Sequence, residues 1–173
     1  MATSLYDQSV TSYLQTLGAV AGFLKKGLAH CLETNTDPNE FVEARLYADM
    51  HPLRFQICSV AHHSLGAIDA IKAGLFLPPG QLPPHDYAAL QKLVADTRET
   101  LQALTPAEIN ALAGADLVFQ LPTLKVPFTA EGFLMSFSLP NFYFHATTAY
   151  DILRMKGVPL GKRDFLGQLR IKN

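Results

Sequence analysis

Four long segments of this chain repeat their apolar residues at steps of three and four, and no strand can bury a pattern of that period. The first runs through Val10, Tyr13, Leu14, Leu17, Ala21, Leu24, Leu28 and Cys31. An alternating strand would send every second one of these side chains to water, whereas an α-helix gathers them into a single stripe. The second is Leu53, Ile57, Val60, Ser64, Ile68, Ile71 and Leu75, and the third is Leu90, Leu93, Thr97, Leu101 and Leu104. The fourth occupies the stretch after Thr129. The spacing predicts helices over about 5–33, 52–75, 86–104 and 130–156. Four amphipathic helices bury their stripes most simply against one another, as a bundle.

The punctuation agrees with those limits. Ser4 with Asp7 three residues on is close to a capping box, and Thr105-Pro106-Ala107-Glu108 is a full one. Asp37-Pro38-Asn39-Glu40 reads as N-cap, N1 proline and N3 acid of a short helix. The run Leu77-Pro78-Pro79-Gly80-Gln81-Leu82-Pro83-Pro84 cannot continue any helix. Val118–Leu121 and Lys125–Thr129 read as a small hairpin, with Pro122 and Pro127 confining it to an edge. Pro140 should kink or divide the last helix, Gly157 should end it, and Pro159 prevents its resumption. The fold class expected is therefore all-α: a four-helix bundle with short extra helices and at most one small β-hairpin. No linker, repeat or low-complexity stretch divides the 173 residues, so one domain over 1–173 is expected. In it 157–173 packs back through Leu160, Phe165 and Leu166.

Composition narrows the partners. Fourteen basic and fifteen acidic residues leave a net charge of -1, without the basic excess by which proteins neutralise phosphates, so no nucleic-acid partner is expected. No apolar run approaches the roughly 18 residues of a membrane span, and the start Met1-Ala2-Thr3-Ser4 has neither the charge nor the apolar run of a signal peptide. Cys31 and Cys58 are far apart and outside any CxxC pattern, which suits two reduced, buried thiols and a cytoplasmic location. Only 17% of residues are charged. On the last helix Leu134, Met135, Phe137, Leu139, Phe142 and Phe144 are too many for one stripe. A second apolar face predicts a homodimer.

The segment PNFYFHATTAYDILR, Pro140 to Arg154, followed by Gly157-Val158-Pro159-Leu160-Gly161-Lys162-Arg163-Asp164-Phe165-Leu166-Gly167, is the most distinctive stretch of the chain. It resembles the C-terminal signature of an uncharacterised domain-of-unknown-function family placed with the DinB/YfiT-like four-helix proteins. Asp49-Met50-His51-Pro52-Leu53 with Gln56 resembles that family's approach to its second helix, and the likeness extends from about Leu5 to Gly167. The resemblance implies a DinB-like bundle. In better-studied relatives it implies a divalent ion held by three histidines, one on the second helix and two spaced by four on the last, in some cases activating a thiol. This chain departs from that pattern. His145 matches one last-helix position, but Ala149 stands four later and Asn141 four earlier.

Helical phase puts Asn141, His145, Thr148, Ala149 and Ile152 on one face of the last helix. Gln56 and His63 lie one heptad apart beside the second helix's stripe, with Asp49 and His51 before its start and His62 on the solvent side. The candidate ligand-binding residues are accordingly Asp49, Gln56, His63, Asn141, His145 and Thr148. Three readings follow. The first is a polar pocket between helices that binds a small molecule, with no cofactor and no tightly held metal. The second is an enzyme in which His145, with His63 or His51 and Asp49, holds zinc, nickel or iron for hydrolysis or thiol transfer. The third is a dimeric scaffold whose polar cluster only fixes helix register. No GxSxG, HExxH or glycine-rich phosphate loop supports any other chemistry.

Overall fold

A computed structural model describes residues 3–172. The first helix opens as a π-helical stretch, Asp7–Thr11, and continues as α1, Ser12–Glu33. Ser4 and Asp7 do form reciprocal capping bonds, Ser4 Oγ donating to the Asp7 carboxylate at 2.7 Å and Asp7 N–H to Ser4 Oγ at 3.1 Å. The wider ladder coincides with hydroxyls in it: Ser9 Oγ donates to the Leu5 carbonyl and Ser12 Oγ to that of Asp7. After α1 come α2 (Asn39–Val42), α3 (Leu53–His62), α4 (Leu65–Ala73) and β1 (Leu75–Phe76). Then follow α5 (Tyr87–Gln102), α6 (Pro106–Asn110), β2 (Asp116–Gln120) and β3 (Lys125–Thr129). The last helix is α7 (Ala130–Phe133), a π-helical turn Leu134–Ser138, and α8 (Leu139–Met155), before the short α9 (Lys162–Leu166).

Four of these make the bundle. α1 packs on α5 and α8, and α3 packs on the same two, so the helices close a ring in the order α1, α5, α3, α8. Val10, Tyr13, Leu17 and Leu24 are fully buried as their spacing predicts, joined by Val20 and Phe23. Gly27 lets the α1–α5 seam close: a Cβ there would collide with the Tyr87 hydroxyl, which donates to the Leu24 carbonyl at 2.8 Å. Asp86 caps α5 through the Ala89 N–H, and the Thr105 capping box forms complete.

Two departures from the sequence reading shape the site. The expected helix over 52–75 is two helices, broken at His63-Ser64. Ser64 Oγ donates to the Val60 carbonyl at 2.7 Å, and Ser138 Oγ reaches across from the last helix to the His63 carbonyl at 2.7 Å. Hydroxyls thus engage carbonyls at the break in the ladder. The tail of that segment is a strand: β1 pairs in parallel with β2 (Leu75 opposite Val118) and adds one strand to the expected hairpin, in the order β1-β2-β3. Leu75, expected in the core, is consequently 40% exposed, while Phe76 takes the buried position.

The hairpin β2–β3 is antiparallel, and Pro127 sits on its outer strand, where a missing N–H is tolerated. The last helix is divided just before Pro140, where α8 begins. The turn before it widens to π geometry, Leu139 N–H bonding to the Leu134 carbonyl, which relieves the clash a proline ring would make with the carbonyl four residues back. Gly157, at φ +89°, ends α8 in a Schellman pair, Val158 N–H to Leu153 O and Gly157 N–H to Arg154 O. The chain then returns along α1, where Gln15 donates to the Leu166 carbonyl and Lys26 pairs with Asp164. Val158 and Leu160 are buried, but Leu166 is largely exposed. Among the described residues no helix is long and apolar enough to cross a membrane.

Candidate functional site

The break between α3 and α4 aims a histidine inward. His63 terminates α3, is buried, and sits among rings: Phe76 at 5.6 Å, Phe137 at 5.7 Å and His145 at 5.8 Å between centroids. The His63 and His145 rings lie nearly parallel, at 17°. The Tyr13 hydroxyl bonds Ser138 Oγ at 2.7 Å, and Ser138 donates to the His63 carbonyl. A buried relay from α1 through the π turn therefore fixes the backbone that carries His63.

His145 is half-buried on α8, and its Nδ1 lies 2.8 Å from Gln56 Oε1. Gln56, buried on α3, spends its amide nitrogen on the His51 carbonyl at 2.8 Å. That donor bond fixes the orientation of the amide, since the flipped group would set oxygen against oxygen. Oε1 can then only accept, so His145 carries its proton on Nδ1 and keeps the lone pair on Nε2. The His51 ring stacks on Phe55 at 3.9 Å, and Phe55 meets His145 edge to face at 5.9 Å.

Both core imidazoles are held neutral. Burial lowers His63 from 6.5 to about 3, with the neighbouring His62 and His145 adding to the effect. Burial lowers His145 from 6.5 to about 4, with His51 and His62 contributing. The Nδ1 of His63 is buried and has no hydrogen-bond partner among the described residues.

Of the residues singled out by sequence, the fold brings together Gln56, His63 and His145, with His51 beside them. Asp49 is exposed and makes no side-chain hydrogen bond to the cluster. Asn141 and Thr148 turn back on their own helix, donating to the Phe137 and Phe144 carbonyls. His62, expected in solvent, is half-buried: its Nε2 is 3.1 Å from the Leu77 carbonyl and its ring packs on Phe76. β1 covers the face that sequence had assigned to water. The residues that sequence reasoning missed are Phe55, Phe76, Phe137 and Ser138. A serine two before a helix-interior proline was the one available signal.

The three-histidine ion site of DinB-like proteins does not fit this donor set. The last helix offers one imidazole, and among the described residues no group of three or more His, Cys, Asp or Glu converges. Acid–base chemistry fits poorly as well, since imidazoles that titrate near 3 and 4 are weak bases at neutral pH. What the arrangement does offer is an oriented acceptor, His145 Nε2, flanked by aromatic rings.

The whole-chain architecture is shared with a solved structure. A DinB family member protein from Shewanella denitrificans superposes with a TM-score of 0.79 at 27% sequence identity, over 98% of this chain and 95% of that one. No curated protein matches the sequence. Residues 5–166 match the family described as "Domain of unknown function (DUF1993)". With that match spanning nearly the whole sequence on a DinB-like four-helix fold, the chain belongs to the DUF1993 family.

Proposed function

We propose that the protein binds a small neutral molecule at the Gln56–His145 face of the bundle, with no tightly held metal. The observation that carries this is the fixed tautomer of His145. Gln56 occupies Nδ1–H, leaving Nε2 as an acceptor of set direction beside the rings of Phe55 and His51. A ligand that donates one hydrogen bond and presents a flat apolar surface suits such a site. A charged ligand does not, because no countercharge lies in the cluster. The test is a melting-shift titration with neutral phenols, primary amides and purine bases, repeated on His145→Ala. A saturable rise in wild type that the variant lacks supports binding. Stabilisation by zinc or nickel alone, lost in the same variant, would replace this reading with the metalloenzyme one.

A second reading has its own observation. On the last helix Met135 and Phe144 are each 56% exposed and Tyr143 39% exposed. These residues favour a homodimeric scaffold built through that helix. Phe137, which sequence placed on the same outer face, is instead covered by Phe119 and Phe128 of the sheet, so the outer face is narrower than expected. Light scattering at micromolar concentration tests the dimer, and a species of 19.0 kDa alone would dismiss it. A cytoplasmic location accompanies both readings as part of the proposal.

A further inference from the structure

A cleft of about 960 Å³ lies between α1, α5 and the returning tail, and none of the imidazole cluster lines it. Its lining holds two arginines, Arg98 and Arg170, and three primary amides, Gln15, Gln102 and Gln168, and contains no aspartate or glutamate. A terminal nitrogen of Arg98 lies against α1 at Gly18, 3.8 Å from where a Cβ would stand, which is ordinary contact distance. Gly167, at φ +60°, brings the tail so close to α1 that a Cβ would lie 3.1 Å from the Gln15 carbonyl. That left-handed turn makes residues beyond it the cleft's outer wall.

Neither arginine is neutralised by a carboxylate among the described residues. The ion pairs among the described residues are Lys26–Asp164, Arg54–Glu43 and Lys92–Asp96, and neither Arg98 nor Arg170 takes part. The Nε of Arg98 is buried without a hydrogen-bond partner, although the side chain as a whole is half-buried. An arginine kept on a helix–helix seam ordinarily satisfies its fork with a carboxylate or carbonyls, because a guanidinium nitrogen removed from water costs free energy if unpaired. The side chains that share the cleft with the two arginines are amides, the Thr11 hydroxyl and the apolar Leu14, Leu169 and Ile171, with no carboxylate among them.

We infer that this cleft is a second site, distinct from the imidazole face, which binds a small organic oxyanion (a carboxylate or a phosphate monoester) through Arg98 and Arg170. Two guanidinium groups supply paired N–H donors matched to planar or tetrahedral oxyanions. The glutamine amides supply further donors, and the leucines receive an apolar part of the ligand. The inference does not depend on the neutral-ligand reading of His145.

The experiment is calorimetric titration of the full chain with inorganic phosphate and, separately, with citrate, ionic strength being matched throughout with potassium chloride. Saturable binding of either anion is expected, with phosphate preference pointing to a phosphate monoester and citrate preference to a carboxylate. Affinity should fall about tenfold or more in Arg98→Gln, and measurably in Arg170→Ala, while His145→Ala binds as wild type. Arg170 is exposed on the tail, so its variant reports on the cleft even if Arg98→Gln fails to fold. Absence of saturable binding beyond the chloride control overturns the inference. So does unchanged affinity in Arg170→Ala, or loss of binding in His145→Ala.

Discussion

Acidification from about pH 8 to about pH 5 should weaken this fold by roughly 2–4 kcal/mol, chiefly through two side chains. His63 and His145 titrate near 6.5 in the unfolded chain and at about 3 and about 4 when folded. Between those values the unfolded state binds protons that the folded state refuses, so stability must fall as pH falls. The loss begins near pH 6.5, and its slope approaches about 1.4 kcal/mol per pH unit for each imidazole. By about pH 5 both folded rings are still neutral while most unfolded copies are charged, which is about 2 kcal/mol per residue. His145 is partly open to solvent, and the lower end of the range discounts its share accordingly. His62, also lowered by burial, acts in the same direction. The assay is urea unfolding at several pH values from about 8 to 5, a window kept above most carboxylate titration. His145→Gln should flatten the dependence, and His63→Phe should flatten it while leaving stability at pH 8 equal or higher, since it removes an unpaired buried nitrogen from a phenylalanine cluster. Equal stability at both ends in wild type, or an undiminished slope in both variants, would show that these imidazoles do not titrate low in the folded chain.

Gly27→Ala should lower stability by about 1–3 kcal/mol, because a methyl group must displace the buried Tyr87 hydroxyl from the Leu24 carbonyl; the urea midpoint checks it. Ser138→Ala should cost about 1–3 kcal/mol by leaving the buried Tyr13 hydroxyl and the His63 carbonyl without their common partner, an effect that Tyr13→Phe should largely share rather than add to. A chain ending at Gly157 should be less stable by several kcal/mol, at about 1.5–3 for each buried side chain it lacks, with Val158 and Leu160 the main losses and exposed Leu166 contributing little. An unchanged midpoint would mean that the return along α1 carries no weight.

Where local chemistry and tertiary packing agree, the sequence was sufficient. The α1 stripe, the Thr105 cap and the Gly157 ending needed only periodicity and capping rules, because each bond lies within a turn or two of its partner. The break at His63-Ser64 was not legible in that way. A hydroxyl 75 residues away, Ser138, takes up the His63 carbonyl at the break, a tertiary bond that periodicity in the run itself cannot show. β1 was missed for a related reason: two residues cannot show alternation, and their strand state comes from pairing with Val118 and Phe119. Within the site, helical phase sets Gln56, His63 and His145 toward one another, and in the structure Gln56 bonds His145 and the two imidazole rings lie 5.8 Å apart. It could not tell that Asn141 and Thr148, on the same face, would satisfy their polar groups on their own backbone.

Binding at this face requires that His145 be a neutral imidazole with its proton on Nδ1, held by Gln56, and with Nε2 free to accept. Long-range proton–nitrogen correlation spectra of the histidine side chains, recorded as a function of pH, read tautomer and titration together. His145 should show the Nδ1–H tautomer at neutral pH and titrate well below 6.5, at about 4. Gln56→Leu should shift the ring toward a mixture of tautomers. An Nε2–H tautomer in wild type, or a titration at or above 6.5, would contradict that requirement.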